Sequence, residues 1–219
     1  MPYIAFLVIF NVAVACFIAI RHRDLKYITA YSSISHLGLI FLGLAAATPL
    51  AFRGAALQML SHGFLTGLFF ASIGMIYGRT HTRNIDEMGG LMRIMPFLGV
   101  AFTIAGFAGL GLPGLSGFVA ETSIFIGSFQ SPFPHVIIVT NLGILSITAT
   151  AVYILQTANR MLSGPVKVEK FKTLTDADFI EKTTLVIIMA CLFGIGLFPG
   201  WISEFLDTAI APIYANLMR

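Results

Sequence analysis

Apolar runs long enough to cross a membrane recur along the whole chain, separated by short polar stretches, with approximate limits 3–20, 27–47, 54–77, 94–129, 136–158 and 183–199. Runs of about 18 apolar residues or more predict bilayer-spanning helices. The pattern therefore predicts an all-α, polytopic membrane bundle of about six transmembrane helices. The fourth run is too long for one straight crossing, which needs about 20 residues. It is also interrupted by "GLGLPGLSGFVAE", residues 109–121, where four glycines and a proline precede a carboxylate. Glycine and proline are the poorest helix formers, so the helix is expected to break there, at Gly111, Pro113, Gly114 and Gly117. The expected organisation is a transmembrane bundle over 1–200, broken near 109–117. A C-terminal interfacial segment over 201–219 is anchored by Trp201.

Basic residues decide how often 94–129 crosses. With one crossing made of two half-helices, Arg21, Arg23 and Lys26 share a face with Arg79, Arg83 and Arg93, and with Arg160, Lys167, Lys170, Lys172 and Lys182. Only Arg53 and Arg219 fall on the other face. With two crossings this asymmetry largely disappears, so the positive-inside rule favours one, with the basic loops in the cytoplasm or its equivalent. Irregular backbone at membrane depth is tolerated only where protein buries it or water reaches it, and broken helices of this kind mark ion or substrate sites in transporters.

Composition agrees with the pattern. Hydrophobic residues make up 57% and charged residues 11% of the 219 positions, and mean hydropathy is +0.90, which excludes an ordinary soluble domain. The first run lacks a basic n-region and a small-residue cleavage site, so it is expected to be a retained helix and not a signal peptide. Cys16 and Cys191 lie in apolar runs without metal-site spacing. No P-loop, Rossmann, HExxH or CxxC pattern is present, and neither a cofactor nor nucleic acid is expected to bind.

Three ionisable residues stand out inside the spans. Glu121 follows the break directly, in the apolar sequence "FVAETSIFIG". A carboxylate at the bilayer centre costs about 2.5 to 3.5 kcal/mol by insertion scales, so it should face the bundle interior and find a partner or water. His36 lies ten residues beyond Lys26, roughly 15 Å deep at about 1.5 Å per residue. His62 lies eight residues beyond Gly54 on the next, oppositely directed span, roughly 12 Å deep by the same rise. Ser32 precedes His36 by one turn, and Gln58, His62 and Thr66 form one polar stripe at i, i+4, i+8. With Lys26 at a helix start, these supply supporting polarity. Two imidazoles at matching depth favour a proton relay over satisfied structural histidines. His22, His81 and His135 belong to loops or span ends. The stretch "VKVEKFKTLTDADFIEK" reads as a solvated, mixed-charge loop.

The segments "DLKYITAYSSISHLG", "GAALQMLSHGFLTGLFF", "YGRTHTRNIDEMGGL" and "GLGLPGLSGFVAE" together resemble the antiporter-like subunits of respiratory complex I, NADH:quinone oxidoreductase. The match is nearest to the subunit M, or chain 4, family. The resemblance covers nearly the whole chain in order. It implies a proton-translocating core built from two inverted five-helix repeats, each with one discontinuous helix. Glu121 then matches the acid of the second repeat's discontinuous helix, and His36 and His62 match histidines on the polar axis leading to it. The first repeat, with its Glu–Lys pair and central lysine, has no counterpart here. The chain resembles the second repeat plus a closing helix, with a partner chain supplying the first half or the chain being a fragment.

The resemblance implies proton translocation within a redox-driven complex of the respiratory electron-transport chain. The chain would not be catalytic alone, would contact other membrane subunits and lipid, and would reside in a bacterial inner membrane or an organellar energy-transducing membrane. A multisubunit cation/proton antiporter or membrane-bound hydrogenase complex is the runner-up. Haem-b ligation by His36 and His62 would leave Glu121 and the break without a role. A transport-inactive scaffold is the remaining alternative.

Overall fold

Polar caps and prolines set the limits of the apolar helices. The computed structural model describes residues 2–217; Arg219, expected on the face opposite the basic loops, lies outside them. Helix α1 is Pro2–Arg21, α2 is Leu25–Ala45 and α3 is Pro49–Thr80. The Asp24 carboxylate accepts from the Lys26 amide at the start of α2, and Thr48 caps α3 ahead of Pro49. A short helix α4, Leu91–Ile94, precedes α5, Pro96–Gly109, and α6 is Ser116–Phe129. Helix α7 is Pro134–Leu162, α8 is Phe179–Leu197 and α9 is Pro199–Leu217, with a 3-10 turn at Glu169–Thr173. Prolines occupy the first turns of α3, α5 and α7, where no amide donor is lost. Among the described residues, α2, α3, α7 and α8 are long and apolar enough to cross a membrane singly.

The contacts of α3 settle the course of 96–129. Thr48 bonds the Gly127 carbonyl at 2.9 Å and Ser61 bonds Ser116 at 2.7 Å. Phe69 packs edge-on against Phe102 at 5.1 Å, and Arg79 lies beside the Asp176 carbonyl while Asp176 binds the Phe97 amide. Running up α3, its partners thus descend steadily from 127 to 97. Helices α5 and α6 follow one another antiparallel to α3, as a single crossing interrupted at 110–115.

That interruption is built by ordinary backbone chemistry. Gly111 takes a left-handed φ of 63°, and the Gly111 and Leu112 amides bond the Ala108 and Phe107 carbonyls. This is a Schellman termination, followed by a proline that cannot continue the helix. Pro113 and Gly114 (φ 91°) then turn the chain, closed by the Leu115 amide on the Leu112 carbonyl, as in a type II turn. Gly117 is not part of the break: it lies in the first turn of α6. It packs on the Ala108 carbonyl, and no Cβ fits there.

The basic loops meet in one layer. Asp86 gathers Arg23 at 3.4 Å and Arg160 at 3.5 Å, Lys167 bonds the Asp86 carbonyl, and Asp24 faces Arg83 at 3.4 Å. Arg53 pairs with Asp207 at 2.9 Å at the opposite end. The 166–182 segment is more than a solvated loop. Phe171 and Ala177 are buried, and the Asp176 carboxylate accepts from the Phe97 and Leu98 amides at the start of α5. Arg79 binds Glu181 through both terminal nitrogens as well as the Thr175 and Asp176 carbonyls. Helix α9 runs beside the first turns of α3, with Ile202 packed near Leu57 and the Tyr214 hydroxyl on the Ala47 carbonyl.

Candidate functional site

Three helices bring polar side chains together at the level of the break. His36 on α2, Gln58 on α3 and Glu121 on α6 are all buried, at 3%, 1% and 5% exposure. The His36 Nδ1 lies 3.2 Å from the Gln58 Nε2 and 3.7 Å from the Glu121 Oε1. The His62 ring centroid is 5.1 Å from that of His36, with the planes tilted by 43°. A fixed helical rise puts the two imidazoles at one depth, and the α2–α3 packing places them side by side.

Close approach of backbones makes this cluster possible. Gly43 of α2 faces the Ala51 carbonyl, and Gly54 of α3 lies against the Ile124 backbone. Small residues at such crossings let membrane helices approach closely. Glu121 points back toward the break, where a Cβ on Gly111 would meet its Oε2. Gly111 thus serves twice, by adopting a positive φ and by leaving room for the carboxyl.

The cluster has unused hydrogen-bonding capacity. The His36 Nε2, the Gln58 Oε1 and the His62 Nδ1 are buried without a hydrogen-bond partner among the described residues. Buried polar groups are normally paired, and of these three the two imidazole nitrogens belong to rings that can bind or release a proton. The arrangement allows a proton to be held by an imidazole or by a carboxyl a few ångströms away.

Not every residue singled out from the sequence reaches this cluster. Thr66 donates to the His62 carbonyl at 2.7 Å within its own helix. Lys26 is exposed in the first turn of α2, on the basic-loop face. Ser32 is buried but turns toward α7, where it accepts from the Tyr153 hydroxyl at 3.0 Å. Ser35, beside His36, meets Cys16 of α1 at 3.4 Å. Gly111, Pro113 and Gly114 form the break, whereas Gly117 packs beside it. Sequence reading missed Tyr153 and the Ser61–Ser116 pair. The available signal was the spacing of Thr150, Tyr153 and Thr157, which share one face of α7 and are all buried.

A family model described as NADH:quinone oxidoreductase/Mrp antiporter, transmembrane, matches residues 1–148. The chain is 35% identical over 220 residues to an NAD(P)H-quinone oxidoreductase chain 4 of Thermosynechococcus vestitus, covering 98% of this chain and 42% of the relative. It is 34% identical over 223 residues to a chain of the same name from Trichodesmium erythraeum, covering 99% and 42%. Among solved structures, respiratory complex I from Thermus thermophilus with bound NADH superposes at TM-score 0.87 and 27% identity, covering 99% of this chain and 44% of that one. The Mrp complex from a Dietzia species shares the fold at TM-score 0.85 and 18% identity, covering 97% and 47%. The chain spans less than half the length of these curated relatives and corresponds to their C-terminal half. It is an integral, multi-pass membrane protein, and it belongs to the NADH:quinone oxidoreductase/Mrp antiporter transmembrane family.

Proposed function

We propose that this chain translocates protons as the second half of an antiporter-like subunit in a complex I-type oxidoreductase. One observation carries the reading: a buried carboxyl on a discontinuous helix lies 3.7 Å from a buried imidazole that has a second imidazole beside it. Ionisable side chains inside a membrane are costly and are placed where ions or protons move. The relatives named NAD(P)H-quinone oxidoreductase chain 4 favour the redox-driven setting over the Mrp-type one. In this reading Glu121, His36 and His62 exchange the proton, Gln58 orients the His36 ring, and the break keeps the Glu121 carboxyl free to move. The driving energy comes from other subunits of the complex. The first repeat, which has no counterpart in these 219 residues, completes the subunit in this reading.

The test is reconstitution of the intact complex into sealed vesicles, with quinone reduction as the drive. Vesicle acidification that disappears when this chain is removed, while quinone reduction by the remaining complex persists, supports the reading. Unchanged acidification without this chain contradicts it.

A further inference from the structure

Between the basic loops and His36 lies a second set of buried polar side chains that the cluster itself does not use. Counting inward from the start of α2, Thr29 is one turn deep, Ser32 two turns and His36 three. On α7, which ends on the same face, Thr157 and Tyr153 lie at successive turns inward from Leu162. Thr29, Ser32, Tyr153 and Thr157 are all buried, at 4%, 4%, 1% and 4% exposure. Tyr153 donates to Ser32 at 3.0 Å. A void of about 10 Å³ touches all four, close to the smallest space that admits one water. Tyrosine is costly to bury unless its hydroxyl is bonded. Here the bond goes to a serine whose helix carries His36 one turn further in.

We propose that Tyr153 and Ser32 form the inlet by which protons from the basic-loop face reach His36. The inference rests on the proton-translocation reading above and names its entry route. A hydroxyl can accept a proton on one lone pair while it donates its own, so Tyr153 and Ser32 pass protons without carrying net charge. The incoming proton enters from water held beside Thr29 and Thr157. It bonds to the Tyr153 oxygen as that hydroxyl releases its own proton to Ser32, and Ser32 in turn releases one through a bridging water to the His36 ring one turn further in. No bond other than O–H and N–H changes. Phe69 and Phe102, which also border the void, shield the route from lipid. The titratable groups nearby on packed elements are Cys16 of α1, bonded to Ser35, His36 of α2, His62 of α3 and Glu121 of α6.

The test compares Tyr153→Phe, Ser32→Ala and Glu121→Gln in the reconstituted complex. Tyr153→Phe keeps the ring and removes only the hydroxyl. It should slow proton uptake about tenfold, equivalent to about 1.4 kcal/mol in the transfer barrier. The deficit should deepen as pH on the basic-loop side rises, and the solvent deuterium isotope effect should increase. Ser32→Ala should give the same behaviour, and the double variant should be no slower than either single one, because both interrupt one route. Wild-type uptake and isotope effect in Tyr153→Phe, alongside loss in Glu121→Gln, would overturn the inlet and leave the proposed function intact. Wild-type uptake in both variants would overturn both. A loss in Tyr153→Phe that is equal at every pH, with no change in isotope effect, would assign Tyr153 to packing and also overturn the inlet.

Discussion

The His36 Nδ1 stands 3.7 Å from the Glu121 Oε1, joining a helix that crosses without interruption to a half-helix that begins at the break. The pair is 85 positions apart in sequence order, yet each partner is fixed by local rules. Helix rise sets the depth of His36, and the Schellman stop followed by Pro113 sets where α6 starts. Gln58 holds the same ring nitrogen from α3 at 3.2 Å, so three helices fix the geometry of one imidazole.

Replacing His36 and His62 together by glutamine should reduce proton pumping about tenfold or more, within the usual range for loss of acid–base groups. Glutamine in place of His22 or His81 should have little effect. His22 stacks on Tyr27 and Tyr31, and His81 caps α3 at the basic-loop face. Acidification rates at equal amounts of intact complex decide this, and normal pumping in the double variant would return both histidines to a structural role.

Gly111→Ala should be costly in two ways. A side chain at its positive φ of 63° costs about 1–2 kcal/mol, and the added methyl is directed at the Glu121 carboxyl. A lowered thermal midpoint with depressed pumping is expected. Gly63→Ala on α3 has open space around its Cβ and an ordinary helical backbone, and it should leave both unchanged.

Asp176→Ala removes an acceptor from the Phe97 and Leu98 amides at the start of α5. A loss of about 0.5–2 kcal/mol follows from the ordinary value of a helix N-cap. Thermal denaturation of the purified complex measures it, and pumping per surviving complex should stay normal because the site lies at the other end of α5.

The helices, the break and the shared basic face were legible because each rests on a local or compositional rule. Apolar length, the Gly-Pro stretch and Lys/Arg asymmetry need no knowledge of partners. The matching depth of His36 and His62 was legible for the same reason, since α2 and α3 are consecutive and antiparallel. What pairs across distant helices was not. Helical spacing places Ser32 in the polar surroundings of His36, but its hydroxyl turns to Tyr153, 121 residues away. Thr66 completed a polar stripe by spacing, yet it bonds its own backbone, as threonine in a helix readily does. The charged 166–182 loop looked solvated because its charges outnumber its apolar residues. Its Asp176 and the buried Phe171 are anchored by groups far earlier in the chain.

The most direct measurement is proton release per electron in sealed vesicles holding the intact complex with Glu121→Gln. Glutamine keeps the shape and hydrogen-bonding reach of the side chain but does not change charge. The account predicts an assembled complex that still reduces quinone while its proton-to-electron ratio falls well below wild type. A wild-type ratio in that variant would remove Glu121 from the route and contradict the assignment of this cluster as the site of proton transfer.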